Sequence, residues 1–172
     1  IFLGLFLVFE PKEKDLMDRP PRDPKTPILT FPLFMRTGLV TLMLLAGAFG
    51  LFLWERQHGA SLEEARTIVV NTVVFVELFY LLNCRSLTHS VREIGWLSNP
   101  LMLAGIAAMI GAQLLFTYTP VMNKLFHSAP IGFDSWVRIV LVGLTAFLVV
   151  GFEKWVRFGF PMARRKNKTN AA

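Results

Sequence analysis

Four long apolar runs, at about residues 33–54, 67–84, 101–119 and 139–152, constrain this chain more than any other feature. A helix rises about 1.5 Å per residue, so about 20 mostly apolar residues cross a hydrocarbon core about 30 Å thick. The first three runs meet that length. The fourth is shorter, but Trp136 and Trp155 flank it, and Arg138 and Lys154 can snorkel, which extends it to residues 136–157. With 53% hydrophobic residues, 17% charged residues and 16 Phe in 172 positions, the chain is too apolar for a soluble domain of this size to hide. The expected fold class is an all-α integral membrane bundle of four full transmembrane helices.

Short-range signals place the ends of those helices. Ser61 followed by Glu64 forms a capping-box pattern, so the second span should begin near Leu62. Asn99 before Pro100 reads as an N-cap with proline in the first turn, and Asp134 with Ser135 is expected to cap the last span. The resulting bundle occupies residues 33–158, with helices at about 33–54, 62–84, 100–119 and 135–157. Small residues recur four apart, as Ala46 with Gly50 and as Ala104, Ala108 and Ala112, which suggests close helix approach in a compact bundle. The opening IFLGLFLVF, residues 1–9, covers less than half a hydrocarbon core and reads as the stump of a helix whose beginning is missing. No basic region precedes it, which argues against a signal peptide. Residues 10–32 include RPPRDPKTP, whose prolines exclude helix and favour an extended loop. A basic tail, residues 159–172, closes the sequence.

Lys and Arg cluster in residues 10–36, in the loop after the second span, and in the tail, whereas the opposite loops are poor in them. The positive-inside rule therefore places loop 10–32 and the C-terminus in the cytoplasm, and the plasma (inner) membrane is the expected location. The net charge of +6 is thus a topology signal. A nucleic-acid partner is not expected, because the basic residues flank spans and no aromatic platform is interleaved with them. Cys84 is the sole cysteine, so no internal disulfide is available, and His58, His89 and His127 are too dispersed for a metal cluster.

Glu77 is the one acid deep in a span. A charged side chain at a helix centre costs about 2.5 to 3.5 kcal/mol on insertion scales, so something must compensate. At 100° per residue, Tyr80 and Cys84 share its face, while Asn71 and Asn83 point elsewhere. Two readings follow: Glu77 lines a cation path or metal site, or it is a protonated or paired structural group. Glu153 beside Lys154 reads as an interfacial ion pair, and Gln113 as a helix-to-helix hydrogen bond.

The stretch Phe9, Glu10, Pro11, followed by Met17, Arg19, Pro20, Pro21 and Arg22 and then a long apolar helix, resembles the C-terminal membrane region of P-type cation-transporting ATPases. VELFYLLNCRSL, SNP, YTPVMNKLFHSAPIGFDSW and FEKWVRF continue the resemblance in order to about Phe160. The resemblance implies that residues 1–9 end the sixth transmembrane helix and that the four spans are helices seven to ten. It makes Glu77 the counterpart of an ion-ligating acid of calcium pumps, and places Tyr80 where those pumps carry an amide. It makes Glu10, Pro11, Arg19, Pro20, Pro21 and Arg22 parts of a loop coupling the cytoplasmic domains to the bundle. ATP and Mg2+ are implied for the parent pump. This chain lacks nucleotide-binding and phosphorylation motifs, so no cofactor and no catalytic residue is expected in it. Its implied partners are lipid, the remaining helices and cytoplasmic domains of the pump, and the transported cation, whose identity stays open. The rival reading is a self-standing four-helix accessory or structural membrane protein.

Overall fold

A helix starts where a side chain or loop satisfies its first free amides. Ser61 does so for the helix Leu62–Cys84: its hydroxyl accepts from the Glu64 amide at 3.1 Å, and the Glu64 carboxylate accepts from the Ser61 amide at 2.7 Å. Asn99 does so for Pro100–Tyr118 by accepting from the Met102 amide at 2.9 Å. Both caps stand where the sequence places them. The cap expected from Asp134 and Ser135 does not form: the last helix begins at Phe133 with Gly132 at its N-cap. Ser135 instead turns its hydroxyl to Glu55 on another helix, at 3.2 Å. A long-range partner has taken the group that local sequence assigned to a cap.

The computed structural model describes residues 2–12, 21, 25, 27, 29–86, 95 and 98–159. Its helices are α1 (Phe2–Leu5), continued by a 3-10 turn (Phe6–Phe9), α2 (Phe31–Gln57), α3 (Leu62–Cys84), α4 (Pro100–Tyr118), the short α5 (Pro120–Phe126) and α6 (Phe133–Lys154), whose end widens into a π turn (Trp155–Gly159). There is no strand among the described residues. Among the described residues, four helices are long and apolar enough to cross a membrane. Between α2 and α3, Gly59 takes φ +91°, a conformation that a side chain would strain, and so lets the chain reverse in a few residues.

The best apolar window of α3 is 44% buried and that of α2 only 11%, which makes α3 the central helix and α2 a peripheral one. Ile68 of α3, Ile139 of α6 and Ile131 form one core cluster, with the Phe75 and Trp136 rings tilted against each other at 5.4 Å beside it. Leu3, Leu78, Leu81 and Met102 form a second, in which α1 is wedged between α3 and α4. The small residues that permit close approach are Gly47, Gly105 and Gly143: a Cβ added to them would stand 2.5 Å from Val142, 2.4 Å from Phe6 and 2.5 Å from Phe79. The spacing-derived ridges are a correction, since Ala46, Gly50, Ala104, Ala108 and Ala112 are all exposed. Spacing identifies a smooth stripe but not the side of the helix that meets a neighbour.

Candidate functional site

Helix α3 carries its polar side chains on two faces. Asn71 and Asn83 point inward and are spent on packing. The Asn71 amide donates to the Thr67 carbonyl and to Thr117 Oγ1, both at 3.0 Å, tying α3 to α4. The Asn83 amide donates to the Phe147 carbonyl at 3.1 Å, tying α3 to α6. Glu77 lies on the outward side, exposed, although its sequence neighbours Val76 and Leu78 are 1% and 5% exposed. No hydrogen bond or ion pair reaches its carboxylate among the described residues. Tyr80 and Cys84 share its side of the helix, half-buried. The arrangement leaves a carboxylate exposed on the surface of the central helix. No group of three or more His, Cys, Asp or Glu side chains is close enough to hold a metal ion among the described residues.

Glu10 is held where the chain leaves the first helix. Its Oε1 accepts from Arg85 Nε at 2.9 Å and Nη2 at 2.6 Å, and its Oε2 accepts from Asn99 Nδ2 at 2.9 Å. Arg85 also donates through Nη1 to the Gly95 carbonyl at 2.8 Å and through Nη2 to Ser98 Oγ. The Arg85 side chain is 0% exposed and that of Glu10 12%, so both charges depend on these bonds. Of the other residues expected in the loop, Pro11 and Pro21 are exposed, and Arg19, Pro20 and Arg22 lie outside the described residues.

The same end of the bundle holds two more charged groups. Arg36 of α2 donates to Glu153 of α6 at 2.9 and 2.8 Å, and Arg157 pairs with Glu153 at 2.8 Å. Lys154, expected to snorkel and to pair with Glu153, is 5% exposed and donates to the carbonyls of Asn83 and Ser86. The carbonyls at the end of α3 hold its ammonium, while two arginines occupy the neighbouring carboxylate. At the opposite end, Arg138 of α6 pairs with Glu55 of α2 at 2.8 Å and lies 4.3 Å above the Trp54 ring. Gln113 does not make the expected helix-to-helix bond: its Oε1 is buried without a hydrogen-bond partner among the described residues. Thr117 and Tyr118 make helix-to-helix hydrogen bonds of α4 instead, accepting from Asn71 of α3 at 3.0 Å and from Trp136 Nε1 of α6 at 2.8 Å.

Sequence reasoning selected Glu10 and Glu77 but missed Arg85, Asn99, Arg36 and Arg138 as partners. Each stood out only as a charge or a cap at a helix end. The sequence separations, 75 residues for Glu10 with Arg85 and 117 for Arg36 with Glu153, carry no pairing signal.

Four helices long and apolar enough to cross a membrane, two of them joined by charge pairs at both ends, define a polytopic membrane region among the described residues. Residues 1–156 match the family described as cation transporting ATPase, C-terminus. The chain belongs to the C-terminal region of the cation-transporting P-type ATPases. It is 49% identical over 153 residues to a probable cation-transporting ATPase F of Mycobacterium bovis, covering 89% of this chain and 17% of that protein. It is 27% identical over 146 residues to calcium-transporting ATPase 1 of Yarrowia lipolytica, covering 85% and 16%. It is 30% identical over 144 residues to calcium-transporting ATPase type 2C member 1 of Mus musculus, covering 84% and 16%. The chain thus spans about a sixth of the length of these relatives.

Proposed function

We propose that this chain is the C-terminal transmembrane support of an ATP-driven cation pump and that it contributes one carboxylate, Glu77, to the ion path. The observation that carries the reading is the exposure of Glu77 on the central membrane-spanning helix, beside two buried apolar neighbours. An acid so placed in hydrocarbon is costly, and neighbouring helices of a larger bundle would relieve the cost by enclosing it with a cation or a proton. Tyr80 stands one turn away and offers a phenolic oxygen to the same path. In this reading the loop from Glu10 and the basic tail face the cytoplasm, and ATP and Mg2+ act on domains outside this chain.

The support role rests on the two cross-helix amides, on the charge pairs that join α2 to α6, and on the docking of α1 against α3 and α4. A carboxylate at position 77 binds cation when ionised and releases it when a proton replaces the ion or the bundle rearranges. The test is Glu77→Gln in the full-length pump. The concentration of cation needed for half-maximal ATP hydrolysis should rise while the purified yield and melting temperature hold. Unchanged cation dependence would remove Glu77 from the path.

A further inference from the structure

We propose that Arg85 is a positioning residue for the ion path, acting through Glu10 to fix the turn Phe6–Phe9 against the helix that carries Glu77. The inference rests on the reading of Glu77 above.

Three segments meet at Arg85: the end of the first helix, the C-cap of α3 and the N-cap of α4. The guanidinium places two donors on one oxygen of Glu10, and the Asn99 amide takes the other oxygen. The same Asn99 amide donates to the Phe6 carbonyl at 3.3 Å, while its carbonyl oxygen caps α4. Every segment is therefore bonded to the other two. Below this clamp the turn is held by shape: Phe6 fills the space left by the missing side chain of Gly105, and Leu3 packs with Leu78, Leu81 and Met102.

The position of the clamp decides what it controls. Arg85 lies about two helical turns, roughly 12 Å, after Glu77 on the same helix. Leu78, the residue next to Glu77, belongs to the cluster against which the first helix packs. A displacement of the Phe6–Phe9 turn is transmitted to the α3 backbone at Leu78 through packing and at Arg85 through charge. Both contacts straddle the stretch between Glu77 and the helix end. The clamp thus sets where the side chains of the first helix stand relative to the Glu77 carboxylate.

The experiment uses the full-length pump in lipid nanodiscs, with Arg85→Gln, Glu10→Gln, Arg85→Lys and, separately, Glu77→Gln. Half-maximal cation concentration, maximal ATP hydrolysis rate and melting temperature are read on each. Arg85→Gln and Glu10→Gln should each raise the half-maximal cation concentration by about three- to thirty-fold, and the double variant should be no worse than the worse single one. Arg85→Lys, which keeps the charge but loses the planar fork, should recover part of the loss. If Arg85→Gln fails to assemble, Arg85→Lys carries the comparison alone. Lower melting temperature with unchanged cation dependence in the Arg85 variants would overturn the proposal and leave a purely structural clamp. If Glu77→Gln leaves cation dependence unchanged while the Arg85 variants shift it, the assignment of Glu77 fails and the positioning role of Arg85 stands.

Discussion

A Cβ on Gly143 would meet the Phe79 ring at 2.5 and 3.0 Å and the Phe75 carbonyl at 3.2 Å, so α3 and α6 touch at a point where nothing larger fits. Gly143→Ala is expected to lower stability by about 1 to 3 kcal/mol, as overpacking a well-filled contact does, and thermal unfolding of the purified protein in detergent would register it. Gly111 is the natural control. A Cβ there meets nothing within 4 Å, so Gly111→Ala should be neutral, or stabilising by up to about 1 kcal/mol through helix propensity. A fall in melting temperature at Gly111 equal to that at Gly143 would undo the argument. At this scale the sequence was partly legible. The unusual cost of an acid in lipid singled out Glu77, and helix periodicity separated it correctly from Asn71 and Asn83. Periodicity could not say which small residues lie at contacts, because the angular position of a residue fixes its face but not the face a neighbour chooses. Ala108 and Gly105 differ by three residues on one helix, yet one is exposed and the other buried.

Helix limits follow from local chemistry where the cap is local. The capping box at Ser61 and the Asn99 cap needed only side chains within three residues of the amides they satisfy, and both were readable. The start of α6 was not, since Ser135 is drawn to Glu55, 80 residues away, and Gly132 is left at the cap. Ser61→Ala is expected to cost about 0.5 to 2 kcal/mol and to act first on the opening turn of α3. Hydrogen exchange should show faster exchange of the amides from Glu63 to Ala65, with little change at Val76. Uniform loss of protection along α3 would instead mean that the cap holds the whole helix. The two ends of α2 give a different prediction, because its side chains are mostly uncovered and charge pairs hold it to α6. Arg36 and Glu153 are 7% and 17% exposed, so removing Glu153 should cost about 3 to 5 kcal/mol by stranding Arg36, whereas removing Arg36 should cost less because Arg157 still pairs with Glu153. Arg36→Met with Glu153→Leu should cost less than the sum of the two single changes. A thermal-denaturation double-mutant cycle measures the coupling, and strict additivity would show that the pair contributes no mutual stabilisation.

On the scale of the molecule, membrane-spanning helices and family membership were legible because length, apolarity and motif order are properties of the sequence itself. Which helix is central was not. The difference between 44% and 11% burial arises from partners far along the chain, and the apolar windows of α2 and α3 have nearly equal mean hydropathy, 1.9 and 1.8. Helices α2 and α6 run antiparallel, with Arg36 meeting Glu153 at one end and Glu55 meeting Arg138 at the other. The order of synthesis gives this arrangement a temporal cost. The partners of α2 are made 83 and 117 residues after Glu55 and Arg36. At about 5 to 20 residues per second, the helix waits roughly 4 to 23 s with an unanswered charge at each end. Near the two surfaces of the bilayer, water and headgroups can keep those charges solvated during the delay, as they could not at its centre. The separation in sequence therefore confines the charges to the helix ends: a pair that closes so late must begin where it can afford to be single.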